Sequence, residues 1–297
     1  MVRCAGGILG RGHDDVCRPR VSVLGRSTRL LTDHVPLQRG WVARTARWLM
    51  PPRLTVAGRT HRGGRLSNED AFRLIRPVEG QPPLAGALVL DGMGGHAGGR
   101  LAARLGARAA LDALLERPAA DPQQRLRAAV AAAQAAILAH RRANPALREM
   151  ASTFVGALTD GRHLWVATLG DSPVYQVRAG QAVRLVGPHV RSTAVGTVVT
   201  RYLGDGTGPE ELEAEIGGQD RIVLCSDGLS DVVPPLRIAE LVAGRDAEPA
   251  TCALLSEALR RQTSDNVTAA TIAVDAGDAG RLTSMARALL ARSLWMR

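Results

Sequence analysis

Five aspartates stand beside short apolar runs, and their side chains are the first candidates for chemistry in this sequence. They are Asp70, Asp91, Asp171, Asp227 and Asp265. A single aspartate at the end of a strand is usually a turn residue, but five of them favour a shared, oxygen-rich site. Carboxylate and carbonyl oxygens are the ligands that Mg²⁺ and Mn²⁺ prefer. No nearby His pair or Cys cluster favours zinc.

The segment that follows Asp91 is rich in glycine. Residues 87–90 are a short apolar run typical of a buried strand, and glycine occupies five of the eight positions after Asp91 (Gly92, Gly94, Gly95, Gly98 and Gly99). Because glycine permits close backbone approach, this run indicates a loop wrapped tightly around something, such as a cation. The alternative is an ordinary strand-to-helix turn with a solvated aspartate.

The elements that must position these aspartates follow from the hydrophobic pattern. Strands are predicted over residues 54–60, 71–76, 87–90, 152–158, 163–169, 174–177, 182–186, 212–216, 221–225 and 267–274. Helices are predicted over residues 98–116, 123–142, 235–243 and 249–261, and residues 187–208 are expected to be irregular. Hairpin strands with helices inserted in two groups indicate an α+β layered domain and not a doubly wound sheet.

Composition and charge exclude several classes of protein. The chain has 297 residues, of which 45% are apolar, and no apolar run approaches the length of a membrane span. Its formal charge of +10 is concentrated in residues 1–52, which hold nine Arg against three Asp. All the basic residues are Arg, a composition bias that weakens any nucleic-acid interpretation, and two Phe and two Tyr supply no stacking platform. The four scattered cysteines predict reduced thiols in a cytoplasmic protein.

The change in composition at Pro51-Pro52 predicts three parts. Residues 1–52 lack periodicity and are expected to be a basic, disordered arm. Residues 53–275 are expected to form the functional domain, and residues 276–297 a basic tail able to form a helix.

Six short motifs occur in an order that resembles one protein family. They are Arg65-x-x-Asn68-Glu69-Asp70, Asp91-Gly92-Met93-Gly94-Gly95, Ser152-Thr153, Gly170-Asp171-Ser172, Ser226-Asp227-Gly228 and Asp265-Asn266. This order is similar to that of the bacterial branch of the metal-dependent type 2C serine/threonine protein phosphatases, over about residues 54–274. The resemblance implies a sandwich of two antiparallel sheets flanked by helices on both sides, with two Mn²⁺ or Mg²⁺ ions at one edge.

The resemblance also implies roles for individual residues. Asp91 would bridge the two metal ions, and the carbonyl of Gly92 would bind one of them. Asp227 and Asp265 would complete the ligands of the other ion. Asp70 would contact the metal centre through a bound water, and Asp171 would help to hold a third, more weakly bound ion. Arg65 would grip the substrate phosphate with its fork of donors. The implied substrates are proteins that a bacterial serine/threonine kinase has phosphorylated on serine or threonine. The implied enzyme is a monomer that binds neither nucleic acid nor a membrane.

Departures from the family pattern leave alternatives open. Pro173 stands where the family often has Arg, Met93 replaces the His of eukaryotic members, and the segment over residues 186–203 is short for the family's mobile flap. Pro173 and the short flap motivate a catalytically weak, phosphate-sensing or regulatory module on the same fold. The high isoelectric point alone motivates a nucleic-acid-binding protein.

We predict that the arm is dispensable. A protein truncated to residues 52–297 should hydrolyse p-nitrophenyl phosphate at a comparable rate. Its Tm should change by less than about 4 °C, or about 1 kcal/mol for a domain of this size. A larger fall in calorimetry would show that Trp41 and Trp48 pack on the domain, contrary to the expected disorder.

Overall fold

A five-stranded antiparallel sheet contains both the first and the last strand of the domain. The computed structural model describes residues 52–93, 97–118, 120–193 and 196–276. The strands of this first sheet are β1 (Arg53–His61), β8 (Val174–Arg178), β9 (Gln181–Arg184), β13 (Arg221–Cys225) and β14 (Val267–Asp275). Their order is β1-β14-β13-β8-β9, so β14 lies between two strands that are distant from one another in sequence.

A second five-stranded antiparallel sheet is built mainly from the middle of the chain. Its strands are β2 (Ala71–Ile75), β3 (Ala85–Leu90), β6 (Phe154–Thr159), β7 (His163–Leu169) and β12 (Glu210–Glu215). Their order is β12-β7-β6-β3-β2, which leaves β2 at one edge of the sheet. The predicted hairpin at Asp160-Gly161 joins β6 to β7, where Gly161 takes a positive φ of 87° that suits glycine.

The remaining strands of the described residues form two short two-stranded ribbons. One of these ribbons lies in a segment that was predicted to be irregular. β4 (Gly92–Met93) pairs with β5 (Ala151–Ser152), next to the end of β3. β10 (Val190–Thr193) pairs with β11 (Gly196–Val199) inside the segment expected to be irregular. That expectation was wrong for these residues. Most of their side chains are exposed, so no buried face imposes the alternation by which strands are recognised in sequence.

In the part of the chain that the structure describes, five α-helices pack on or beside the sheets. They are α1 (Ala97–Glu116), α2 (Pro122–Ala143), α3 (Asp227–Ser230), α4 (Pro235–Val242) and α5 (Ala247–Arg260). The single turn α3 was not predicted, because four residues are too few for a helical period to show. At the start of α2 the Asp121 carboxylate accepts hydrogen bonds from the backbone N–H groups of Gln123 and Gln124, and Pro122 occupies the first turn.

The apolar side chains form three layers of core between these elements. One cluster packs α1 and α2 on the second sheet, with Leu88 and Leu90 of β3 at its centre. A second lies between the sheets and takes Val89 from the same strand, and a third packs α4 and α5 on the first sheet. Every residue of β3 is buried because both of its faces are covered. The predicted sandwich of two antiparallel sheets flanked by helices is therefore confirmed.

The ends of the chain fall outside these elements. The predicted arm and tail, apart from Pro52 and Ala276, lie outside the described residues, as do Gly94 and Gly95 of the glycine loop. Within the described part of the chain, no helix has the length and apolarity needed to cross a membrane.

Candidate metal centre

Asp70 and Asp91 lie at the same end of the second sheet. Asp70 immediately precedes β2 and Asp91 immediately follows β3, and the strand register pairs Ala71 with Leu90. Because antiparallel neighbours run in opposite directions, the start of one strand and the end of the next share an edge. The strand pairing thus brings together two carboxylates that are 21 positions apart in the sequence.

The backbone of Asp91 is held by Ser152, the last residue of β5, and by Thr153, which immediately precedes β6. Its carbonyl accepts hydrogen bonds from the Thr153 backbone N–H and the Ser152 hydroxyl, each at 2.8 Å. Its own N–H donates to the Thr153 hydroxyl oxygen at 3.0 Å. The Ser152-Thr153 motif therefore fixes the main chain from which the Asp91 side chain projects.

Asp227 and Asp265 come from the corresponding end of the first sheet. β13 ends at Cys225, which pairs with Ala269 of β14. Asp227 lies two positions beyond the end of β13, and Asp265 lies two positions before the start of β14. The same antiparallel geometry therefore places these two residues at one edge.

Hydrogen bonds to Asp70 join the ends of the two sheets. One oxygen of its carboxylate, Oδ2, accepts from the Ser226 hydroxyl at 2.8 Å and from the Thr268 hydroxyl at 2.6 Å. Both donors belong to the β13 and β14 side of the sandwich, whereas Asp70 introduces β2. The other oxygen, Oδ1, is buried and has no hydrogen-bond partner.

Burial of these acids disfavours their charged forms. The Asp70 side chain is almost fully buried, which raises its pKa to about 6 although the two hydroxyl donors oppose the shift. Burial raises the pKa of Asp91 well above its usual range, and the neighbouring carboxylates of Asp70 and Asp227 raise it further. Without a counter-charge, the site therefore favours partly protonated carboxyl groups at neutral pH.

Asp227 and Asp171 extend the same cluster of negative charge. Burial raises the pKa of Asp227 to about 7, with Asp171 and Asp265 as the nearest repelling charges. Burial also raises the pKa of Asp171, and one oxygen of Asp227, Oδ1, is buried without a partner. The charges of the other four aspartates identified in the sequence all raise the pKa of Asp91, so the five belong to one cluster.

Asp231 is a member of this cluster that the sequence analysis missed. Its carboxylate raises the pKa values of both Asp227 and Asp171, and its own pKa is raised by burial and by Asp265. Asp231 follows Asp227 by four positions across the one-turn helix α3, a spacing that puts two side chains on one face. That spacing was the signal available in the sequence.

Arg65 reaches the edge of the cluster. Its guanidinium Nη2 lies 2.7 Å from Asp265 Oδ2, and this hydrogen-bonded ion pair raises the pKa of Arg65. The Arg65 side chain is 61% exposed and that of Asp265 37%, so the pair faces solvent at the mouth of the site. A guanidinium in this position can also bind an anion that approaches the carboxylates.

Asn266 holds the loop that carries Arg65. Its side-chain oxygen accepts from the Glu69 backbone N–H at 2.7 Å. Its side-chain NH₂ donates to the carbonyls of Arg62 and Ser67 at 2.9 and 2.8 Å. The Asp265-Asn266 motif therefore supplies a charged group to the cluster and an anchor for the loop opposite.

The backbone around Gly92 is packed too closely for a side chain. A Cβ at Gly92 would lie 2.3 Å from the Gly99 carbonyl oxygen and 2.7 Å from that of Glu69. A Cβ at Gly99 would in turn lie 2.7 Å from the Gly92 oxygen. These contacts give a structural reason for glycine on both sides of the loop, whose middle lies outside the described residues.

The donor set fits hard divalent cations that keep much of their water. In the described part of the chain, no three His, Cys, Asp or Glu side chains form a group that could itself hold a metal ion. Mg²⁺, however, is usually bound by one or two carboxylates together with several waters. Two buried, unpartnered carboxylate oxygens and several raised carboxyl pKa values are the features that such a cation would satisfy.

Comparison with known proteins gives the class to which this fold and site belong. The family model described as protein phosphatase 2C matches residues 57–271. The chain belongs to this family, and the resemblance found in its motifs is confirmed.

Individual relatives agree with that assignment. The serine/threonine protein phosphatase PstP of Mycobacterium tuberculosis is 31% identical over an alignment of 236 residues that covers 72% of this chain and 44% of PstP. The chain thus spans less than half the length of that relative. The crystal structure of the PstP catalytic domain in complex with two manganese ions superposes with a TM-score of 0.65, covering 75% of this chain and 98% of the other. PppA of Pseudomonas aeruginosa, 25% identical, gives a TM-score of 0.64 and covers 75% of this chain and 99% of the other.

We predict that the metal-free protein loses stability as the pH rises. The folded-state pKa values of Asp70 and Asp227, about 6 and about 7, lie above the values in the unfolded chain. At a pH between the unfolded and the folded pKa, the folded state therefore binds more protons than the unfolded state. This contribution is fully present below about pH 4 and is lost as the pH rises through the folded-state values. In EDTA, Tm should fall between about pH 5 and pH 8.

Calorimetry with and without Mn²⁺ checks this dependence. Mn²⁺ should reduce the slope, because a cation replaces the protons that the carboxylates otherwise need. Asp70→Asn should also flatten the profile in EDTA. A Tm in EDTA that stays constant or rises over this pH range would contradict the electrostatic crowding described above.

Proposed function

We propose that this protein is a metal-dependent phosphomonoester hydrolase that removes phosphate from phosphoserine and phosphothreonine in proteins. The observation that carries the proposal is the meeting of carboxylates from both sheets at one edge, with buried oxygens of Asp70 and Asp227 left unpartnered. Membership of the protein phosphatase 2C family and the name of PstP support the same activity. The alternative of a catalytically weak phosphate-sensing module has no comparable support.

Two Mn²⁺ or Mg²⁺ ions are the proposed cofactors. The two manganese ions of the PstP catalytic domain support this number and type. We assign Asp91 and the Gly92 carbonyl to the ions, together with Asp227 and Asp265, and Asp171 to a weaker third. When bound, such cations lower the pKa of a water molecule and neutralise phosphoryl oxygens.

The remaining polar residues hold the carboxylates in place. Ser226 and Thr268 keep one Asp70 oxygen occupied, so its unpartnered oxygen is the atom free to accept a hydrogen bond from a water in the site. Thr153 fixes the main chain of Asp91. These hydroxyl groups thereby limit the number of orientations open to the two acids.

Arg65 is proposed to bind the substrate phosphate. Its present partner, Asp265, is also a proposed metal ligand, so the ion pair and the metal compete for one carboxylate. A cation bound by Asp265 would weaken that pair and leave the exposed guanidinium available to two phosphate oxygens. The same side chain thus serves as a local counter-charge and as an anion-binding group.

The remaining assignments concern the cellular setting and the chain ends. We propose phosphoproteins modified by a bacterial serine/threonine kinase as substrates, a cytoplasmic location and a monomeric enzyme. The catalytic domain is assigned to residues 53–275, between the arm and the tail.

We predict that Asp91→Asn abolishes most of the activity while the fold survives. The substitution is nearly isosteric but removes the charge shared between the two proposed ions, so kcat should fall by about 10³-fold or more, or about 4 kcal/mol. The measurement is p-nitrophenyl phosphate hydrolysis in Mn²⁺, with EDTA treatment of the wild type as the metal-free reference. Near-normal turnover of this variant in Mn²⁺ would falsify the proposed metal centre.

Arg65→Ala should impair substrate use and leave metal binding intact. Loss of the guanidinium should lower kcat/KM by about 10²-fold, or about 2.7 kcal/mol, and raise KM. Arg148→Ala is a matched control, because the Arg148 side chain is 80% exposed and its one ion pair among the described residues is with its neighbour Glu149. If titration shows that Arg65→Ala weakens Mn²⁺ binding instead, Arg65 supports the carboxylates and does not bind phosphate.

A further inference from the structure

An open groove with a volume of about 620 Å³ lies between the edge strand β2 and helix α1. The helix contributes four residues at a spacing that puts them on one face, Leu101, Arg104, Leu105 and Arg108. The strand side of the groove is formed by residues 70–74, with Thr60 at the end of β1. Asp70 lines this groove and also belongs to the carboxylate cluster, so the groove opens next to the proposed metal centre.

The floor of the groove is apolar and only half-buried. Leu101 and Leu105 pack against the core under α1, while Phe72 and Leu74 pack against the core between the sheets. All four are partly exposed residues, and all four line the groove. Beside them β2 pairs only with β3 among the described strands, so no strand of that part of the chain covers its outer edge.

The walls of the groove carry positive charge. Arg104 is exposed and has no ion pair among the described residues, and Arg108 lies 3.7 Å from Asp112 in an exposed pair that contributes little. Arg73 donates to the Phe72 carbonyl at 2.7 Å, a contact that leaves its charge unneutralised. Among the described residues that line the groove, Asp70 is the one that is acidic, and its carboxylate is almost fully buried.

The segments of this chain that lie outside the described residues have the wrong charge for this groove. Residues 1–52 hold nine Arg and three Asp, and residues 277–297 hold four Arg and one Asp. Both would be repelled by three arginines. Charge complementarity therefore favours an external segment that is acidic.

We propose that this groove, which we call the α1/β2 groove, binds an acidic segment with one apolar side chain, belonging to the phosphoprotein substrate. The inference rests on the proposed phosphatase function and adds a substrate class to it. The seven helical steps from Leu101 to Arg108 span about 10 Å along the helix, which matches about three residues of extended chain. Arg104 and the neighbouring arginines of the groove therefore bind acidic residues that lie a few positions from the phosphorylated side chain.

Matched phosphothreonine peptides test this selectivity. One series carries three Glu and one Leu, placed either before or after the phosphothreonine, and its partner series carries Gln in place of each Glu. In one of the two placements, the wild-type kcat/KM for the Glu peptide should exceed that for the Gln peptide by about tenfold. This ratio corresponds to the combined free energy of three weak, exposed ion pairs. The preference should shrink as salt is raised.

Charge reversal in the groove should remove the preference without changing the chemistry. Arg104→Glu should reduce it to about threefold or less, whereas p-nitrophenyl phosphate hydrolysis should stay within about twofold of the wild type. Arg148→Glu makes the same change of charge outside the groove and should keep the preference. Arg104→Gln provides the test if Arg104→Glu does not fold by circular dichroism.

A binding measurement separates this inference from the proposed activity. A fluorescein-labelled, unphosphorylated Glu peptide should bind the wild-type protein in Mn²⁺ more tightly than its Gln counterpart, and Arg104→Glu should reduce this difference to about threefold or less. That result would support the groove even if no phosphatase activity were found. Equal kcat/KM and equal binding for Glu and Gln peptides, or a preference that stays near tenfold in Arg104→Glu, would overturn it.

Discussion

The site depends on a carboxylate that is shared between the two sheets. Asp70 begins a strand of one sheet, yet one of its oxygens is held by hydroxyl groups of Ser226 and Thr268 from the other. Burying an acid has a large free-energy cost unless its oxygens are hydrogen-bonded or paired with a cation. Here one oxygen is satisfied by the protein and the other is not, so the contact that joins the sheets also creates a requirement for a further ligand.

That requirement extends over the whole cluster. Five of the aspartates (Asp70, Asp91, Asp171, Asp227 and Asp231) have raised carboxyl pKa values, and Asp265 adds a further negative charge to the cluster. Arg65 at the mouth supplies a nearby positive charge through its pair with Asp265. Crowded buried carboxylates are destabilising by themselves, and such groups persist in proteins chiefly where a function uses them. Divalent cations offset this repulsion and would also provide the chemistry of phosphate hydrolysis.

Close backbone packing gives the cluster its rigidity. A Cβ at Gly228 would lie 2.0 Å from the Asn266 carbonyl oxygen, and one at Gly63 would lie 1.8 Å from that of Asp265. The loops that carry the acids thus touch through their main chains, with no side chain between them. The α1/β2 groove begins at this packed edge, because Asp70 belongs to both, and a substrate segment in the groove would lie beside the metal centre.

The sequence by itself determined most of the elements and the chemistry of the site. Burial on one or both faces leaves a period in the hydrophobic pattern, so the ten long strands and four of the five helices could be predicted, and the acids at their ends identified the family. Where nothing is buried or the element is a single turn, as in β10, β11 and α3, no period exists to be recognised. Only the tertiary structure could show that Arg65 pairs with Asp265 across 200 positions and that none of the described strands covers the outer edge of β2 beside α1. The physical reason is that a local pattern reports which face of an element is buried, whereas long-range strand pairing decides which elements become neighbours.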